Sequence, residues 1–184
     1  MKGVISGMPN PTPPSVRFVR LGPAVFEALL AGDLATARTL TGVELSDWFL
    51  SDEVDWLWRM RLLQITADPT AEDWVVRAAV TVPDGIPVGT GGFHGPPNAA
   101  GVVEMGYATD PAYRRRGYAR AMVAALLDWA AADPSALTVR ATIRPDNKAS
   151  LATIAGYGFT HVGEQQDDED DTEYLYERPA RPAV

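Results

Sequence analysis

Three consecutive arginines followed by a glycine form the most chemically distinctive stretch of the chain. Arg114, Arg115 and Arg116 precede Gly117, and apolar residues then recur at helical spacing. A helix start carries backbone N–H groups without intrahelical partners and about half a positive charge. Gly117 has no side chain to block a ligand that approaches this backbone. The stretch therefore predicts a site for a multivalent anion such as a phosphate or pyrophosphate.

The alternative for this stretch is a solvated helix end in which Gly117 only terminates a loop. The surrounding pattern favours the anion site. An apolar strand is predicted over Val102–Ala108, a short turn over Thr109–Tyr113, and an amphipathic helix that opens at Arg114 and continues to Ala132. The apolar face of such a helix has to pack on a sheet, which would place the basic turn at a sheet edge.

Three further residues have side chains suited to chemistry on an amine. Glu104 is a carboxylate in an otherwise apolar strand, where burial would make it a stronger proton acceptor; alternatively it faces solvent at a strand end. His94 follows a glycine-rich strand and either contacts a substrate or is simply exposed. Trp56 lies in an aromatic segment, residues 46–67, and either walls an amine site or packs in the core.

Several of these residues together carry a family resemblance. The pattern Arg114-x-x-Gly117-x-Ala119 follows Glu104-Met105-Gly106-Tyr107 and precedes Asn147-x-x-Ser150 and Gly158-Phe159. It resembles the GNAT superfamily of acyl-CoA-dependent N-acetyltransferases, with the closest likeness to the branch of ribosomal-protein N-terminal acetyltransferases. The likeness covers the second half of the chain well and the first half in outline. It implies a central sheet whose two middle strands splay apart to admit acetyl-CoA as co-substrate.

The resemblance also implies roles for particular residues on the cofactor side. The basic turn would hold the pyrophosphate of acetyl-CoA, while the strand end and an asparagine would contact the pantetheine arm. The residues that these roles cover are Ala108, Thr109, Arg114, Arg115, Arg116, Gly117, Tyr118, Ala119 and Asn147.

The implied reaction is direct attack of a neutral primary amine on the acetyl thioester through a tetrahedral intermediate. It needs a group that removes a proton from the ammonium and a group that protonates the leaving thiolate. Glu104 matches the family base. A tyrosine acid is common in the family, but Ile154 occupies the matching position. Two candidate acids remain, Ser150, which matches a serine of the ribosomal branch, and Tyr157. Alternatively Ser150 only caps a helix turn and Tyr157 only packs.

Trp56 and His94 would contact the acceptor, either a small amine or a peptide N-terminus.

Composition narrows the class of protein further. The 184 residues are 46% hydrophobic, which suits one globular domain, and the net charge of −8 argues against a nucleic-acid partner. There is no cysteine and there are only two histidines, so neither a thiol nucleophile nor a metal site is expected. No apolar run is long enough for a membrane span, so a cytoplasmic protein is expected, and a homodimer is left open.

The chain divides into a proline-rich tail at residues 1–15, a single domain at residues 16–178 and a frayed tail at residues 179–184. Strands and helices that alternate after an initial hairpin predict an α+β fold, layered with helices on a mixed, mostly antiparallel sheet. Within segment 46–67, helical spacing predicts a face of Leu57, Met60 and Ile65. Two other functions are kept as alternatives: a non-catalytic acyl-CoA sensor on the same fold, and a protein-interaction module.

Overall fold

The computed structural model describes residues 14–166 and 171–181, which form one seven-stranded sheet flanked by helices. The strands lie in the order β1-β2-β3-β4-β5-β7-β6. They are β1 (Val16–Arg20), β2 (Arg77–Thr81), β3 (Pro87–Phe93), β4 (Val102–Thr109), β5 (Thr138–Ile143), β6 (Thr160–Gln166) and β7 (Thr172–Pro179). The helices are α1 (Pro23–Leu30), α2 (Leu34–Thr41), α3 (Asp52–Ala67), α4 (Tyr118–Ala132) and α5 (Lys148–Ile154), with 3-10 turns at Asp47–Leu50, Pro69–Asp73 and Pro111–Tyr113.

Local sequence signals fix the ends of the first two helices. Pro23 occupies the first turn of α1, where its missing N–H costs no hydrogen bond. Asp33 caps α2, because its side chain accepts a hydrogen bond from the backbone N–H of Thr36. Gly42 ends that helix in the left-handed conformation, with φ of 66°.

The two faces of the sheet carry separate cores. Ala78 and Val80 of β2 pack with the cluster that α1, α2 and α3 contribute. Ala79, between them, packs with Val88 and with Met122 of α4 on the opposite face. This alternation is the period of two that a strand imposes, and it produces three layers.

The glycines of β3 bring its backbone unusually close to the backbone of the neighbouring segments of the same chain. A Cβ atom at Gly89 would lie 2.1 Å from the carbonyl oxygen of Ala108, and one at Gly92 would lie 2.6 Å from the Cα of Val76. The β2–β3 pairing also shifts register between Ala79 and Val80. β2 and β3 thus form an antiparallel hairpin whose glycines permit a close backbone approach.

The central parallel pair opens after three residues. β4 pairs with β5 from Val102 opposite Thr138 to Glu104 opposite Arg140, although β4 itself continues to Thr109. Beyond Glu104 the two strands diverge, which leaves the β5-facing edge of β4 without a strand partner. This is the splay that the family resemblance implies.

Two details of the sequence prediction are wrong. Helix α4 begins at Tyr118 rather than Arg114, because Gly117 (φ 85°) and Arg115 (φ 62°) adopt left-handed conformations that a right-handed helix excludes. The buried residues of α3 are Val54, Trp58, Arg61 and Ile65. Of the predicted face only Ile65 is among them; Leu57 is half-buried against the same core, and Met60 is exposed.

The last described residues pack against the domain. Ala180 is buried, and Arg181 donates hydrogen bonds to the carbonyls of Asp133 and Ala136. Between β6 and β7, residues 167–170 lie outside the described part of the chain. Among the described helices, none is both long and apolar enough to cross a membrane.

Candidate active site

A cavity of about 570 Å³ lies where the end of β4 meets the starts of α4 and α5; we call it the cofactor cavity. Its lining contains most of the predicted cofactor residues: Ala108, Thr109, Arg114, Arg115, Gly117, Tyr118, Ala119 and Asn147. Arg116 is not part of the lining; its guanidinium lies 5.5 Å from the ring centroid of Tyr113.

The positive end of α4 opens toward this cavity. Gly117 is its N-cap, no side chain caps the first turn, and that turn contains no acidic residue. The first N–H groups of the helix are therefore available to a ligand. Together with Arg114 and Arg115 they form the anion-binding arrangement that the sequence predicts.

Arg114 is held by contacts that link the basic turn to α3. Its Nε donates to the carbonyl of Thr109 at 3.1 Å, and its Nη2 donates to Glu53 Oε2, also at 3.1 Å. Glu53 accepts a second hydrogen bond from Trp48 Nε1 at 2.9 Å. The Arg114–Glu53 pair is about half exposed, so it is worth little and leaves Arg114 able to turn to a more highly charged anion.

The two candidate acids have different surroundings. Ser150 lines the cofactor cavity, and its N–H donates to the Asn147 side chain, which caps α5. Tyr157 lines neither cavity described here; its hydroxyl donates to the carbonyl of Arg120 at 2.9 Å. The structure therefore places Ser150 in the lining of the cofactor cavity and Tyr157 outside both cavities.

A larger cavity of about 1080 Å³, the acceptor cavity, lies between α3 and the sheet. Small residues hollow out its floor, because Gly92 pairs with Gly106 and Thr90 pairs with Ala108 across β3 and β4. Trp56 lines its α3 side, as predicted, and is 59% exposed. Other lining residues are Leu57, Met60, Arg61, Gln64, His94 and Glu173.

His94 lines this cavity and contacts Glu104, which is not itself among the lining residues. The ladder of β3 and β4 continues through the hydrogen bond from His94 N–H to the Glu104 carbonyl, which places the two side chains on one face. His94 Nδ1 lies 3.3 Å from Glu104 Oε1. Arg61 and Gln64 both donate to the His94 carbonyl and fix its position.

Burial lowers the pKa of His94, and the Glu104 carboxylate opposes that change. Half of the His94 side chain is still exposed, so solvent screens both effects. The imidazole is therefore neutral at neutral pH and can accept a proton. A neutral imidazole beside a carboxylate is a pair suited to deprotonating an ammonium group.

Tyr107 is the residue that sequence reasoning missed. Tyr107 and Ala108 are the residues that the two cavities share. The available signal was strand alternation. Tyr107 is three residues after Glu104, so it faces the opposite side of the sheet, toward α4 and α5.

No group of three His, Asp or Glu side chains in the described part of the chain is placed to hold a metal ion.

Residues 22–160 match the acetyltransferase (GNAT) domain, and the chain belongs to this family. The predicted family, the α+β fold, the acyltransferase class and acetyl-CoA as the acetyl donor all agree with that membership.

One curated relative shares part of the sequence, and solved structures at low identity share the fold. An uncharacterized N-acetyltransferase of Bacillus subtilis (strain 168), YjdG, is 35% identical over 72 residues, a match that covers 39% of this chain and 43% of that protein. The crystal structure of ribosomal-protein-S5-alanine acetyltransferase from Vibrio fischeri superposes with a TM-score of 0.58 at 20% identity, over 90% of this chain and 92% of the other. Mycobacterium smegmatis RimJ, in complex with CoA-disulfide, has a TM-score of 0.58 at 22% identity, over 92% and 86%.

Proposed function

We propose that this protein transfers the acetyl group of acetyl-CoA to a primary amine, either a small amine or a peptide N-terminus. The observation that carries the proposal is the meeting of two cavities at the splayed edge of β4, at Tyr107 and Ala108. One cavity has an anion-binding end for the nucleotide of the coenzyme. The other has an acidic and aromatic lining suited to an amine.

The donor would lie along β4. Its pyrophosphate would bind Arg114, Arg115 and the free N–H groups at the start of α4. Its pantetheine arm would hydrogen-bond to the unpaired edge of β4 near Ala108 and Thr109, in place of the β5 strand that has diverged. The Asn147 side chain lies on the other side of the same cavity.

The acceptor would enter from the α3 side. The carboxylate of Glu173 lines that cavity, and the carboxylate of Glu104 lies behind its lining residue His94; both attract a cationic amine. The pair would take the ammonium proton, so that the neutral nitrogen can attack the thioester carbonyl. Trp56 would pack against the carbon skeleton of the amine.

Thermal unfolding with and without acetyl-CoA tests donor binding. A ligand that binds only the folded state stabilises it by about 2.7 kcal/mol at one hundred times its dissociation constant, so the unfolding midpoint should rise by a few degrees. Arg114→Ala should reduce that rise. Arg59→Ala is the matched control, since Arg59 only forms an exposed pair with Asp55 on α3. No rise at millimolar acetyl-CoA would contradict the proposal.

Turnover can then be screened with a panel of amines by measuring CoA thiol. The chain contains no cysteine, so a thiol reagent reports only the product.

We further propose a cytoplasmic location. A homodimer stays a prediction, which light scattering of the purified protein would check.

A further inference from the structure

Tyr107 lies at the one place that both reactants have to reach. If the donor fills the cofactor cavity and the amine fills the acceptor cavity, the thioester has to lie beside the residues that the two cavities share, Tyr107 and Ala108. Ala108 offers only a methyl group and its backbone. Tyr107 therefore supplies the side-chain chemistry at the junction.

The Tyr107 hydroxyl is buried and has no hydrogen-bond partner among the described residues. Ser150 and Thr153, which line the cofactor cavity, are its hydroxyl neighbours on α5 and act to lower its pKa, but neither makes a hydrogen bond of normal geometry with it. Thr153 instead donates to the carbonyl of Ala149 at 2.8 Å. A buried hydroxyl without a partner destabilises the fold, and Tyr107 lines both cavities, which points to a partner that arrives with the ligand.

The protonation state of Tyr107 suits a donor. Burial raises its pKa above the ordinary value, and this outweighs the effect of the nearby hydroxyls. The phenol therefore keeps its proton throughout the neutral range. It is also close to Ser150 on the α5 side of the cavity, where Ile154 offers no proton.

We propose, on the basis of the function above, that Tyr107 is the catalytic residue that protonates the CoA sulfur as the thioester breaks. The amine nitrogen first bonds to the carbonyl carbon. When the tetrahedral intermediate collapses, the C–S bond breaks and its electron pair goes to sulfur. The proton of Tyr107 Oη passes to that sulfur and gives the CoA thiol. The bonded nitrogen loses its extra proton to water, and the Glu104–His94 pair later releases to solvent the proton that it took from the ammonium. The Ser150 and Thr153 hydroxyls stabilise the tyrosinate until it regains a proton from water.

The test is Tyr107→Phe, which removes the hydroxyl and keeps the ring. With an amine from the panel, kcat should fall by about 100-fold or more, the usual contribution of a general acid. The KM and Kd for acetyl-CoA should change much less than kcat, because the hydroxyl gives its proton to the sulfur only as the C–S bond breaks. The unfolding midpoint should stay the same or rise, because the variant no longer buries an unpaired hydroxyl. Tyr174→Phe, on β7 and outside both cavities, is the matched control and should keep wild-type values.

Three other results would overturn the role of Tyr107, and each points to a different cause. Unchanged kcat in Tyr107→Phe would show that the hydroxyl has no part in the reaction. A fall in kcat accompanied by a lower unfolding midpoint and weaker acetyl-CoA binding would show that Tyr107 only packs. If the wild-type protein binds acetyl-CoA but releases no thiol with any amine, the proposed function itself fails, whatever the variant does.

Discussion

Glu104 and His94 form a cross-strand contact beside the acceptor cavity. We expect this pair to carry out the proton transfer from the amine. Glu104 alone was the expected base, and His94 was expected only to touch the substrate. Their 3.3 Å contact makes them a unit in which the carboxylate can stabilise the imidazolium that proton transfer would produce. Either member would then affect turnover through the other, so their effects should not be additive.

At this scale we predict that Glu104→Gln lowers kcat by about 100-fold, because the amide cannot accept the proton or stabilise a charged His94. The affinity for acetyl-CoA should not change, since Glu104 is not among the residues that line the cofactor cavity. Steady-state kinetics and calorimetric binding measure the two quantities. Glu164→Gln, at an exposed position on β6, is the control. Full turnover in Glu104→Gln would remove this residue from the mechanism.

The pKa of His94 gives a second prediction at the residue scale. Burial lowers it from 6.5, so the proton-accepting form of His94 persists below that pH. The rate constant kcat/KM should therefore be independent of pH near neutrality and fall only as pH drops below about 6.5. In His94→Asn this acidic limb should change position. A wild-type limb above neutrality, or one that His94→Asn leaves in place, would argue against the pair.

At the scale of elements, β3 fixes the end of β4. Gly89 allows β3 to approach the Ala108 carbonyl so closely that no Cβ fits between them. The same stretch of β4 is the edge that would bind the pantetheine arm. Packing on one side of β4 therefore sets the position of the binding edge on its other side.

Gly89→Ala should accordingly damage both stability and donor binding. The added methyl has to displace backbone rather than a flexible side chain, and overpacking of this kind typically costs about 1–3 kcal/mol. We expect a lower unfolding midpoint and a smaller rise with acetyl-CoA. Gly163→Ala is the matched control in a strand, because its nearest neighbouring atom is 4.0 Å from the new Cβ. Equal behaviour of the two variants would contradict this account of β3.

At the scale of the whole molecule, a net charge of −8 opposes a local cluster of arginines. Acetyl-CoA is an anion, so the distant charges repel it while Arg114 and Arg115 attract it. At physiological ionic strength the Debye length is about 8 Å, which screens the distant charges more than the contacts within the cavity. The local attraction should therefore decide the sign of the salt effect.

We predict that the affinity for acetyl-CoA falls as ionic strength rises from about 0.05 M to about 0.3 M. Isothermal titration calorimetry at several salt concentrations would measure it. Arg114→Ala should flatten the dependence, because it removes one of the attractive contacts. An affinity that rises with salt would mean that the net charge dominates.

The sequence by itself determined the features that depend on neighbouring residues. Strand β4, the basic turn and helix α4 follow one another within about thirty residues, and their periodicity and glycines are local signals. The Asp33 cap and the β2–β3 hairpin are equally local. Local motifs of this kind around the basic turn were sufficient to predict the family, while the cofactor residues stay a prediction.

Tertiary structure decided the contacts between distant residues and the choice of buried face. Arg114 meets Glu53 across 61 positions, and no local pattern indicates that pair. Helix α3 carries large apolar residues on more than one side, so only packing against α1 could show that Trp58 is buried and Trp56 is not. Periodicity gives the two faces of an element but not their surroundings. For that reason the unpaired hydroxyl of Tyr107 became apparent only once α5 was in place beside β4.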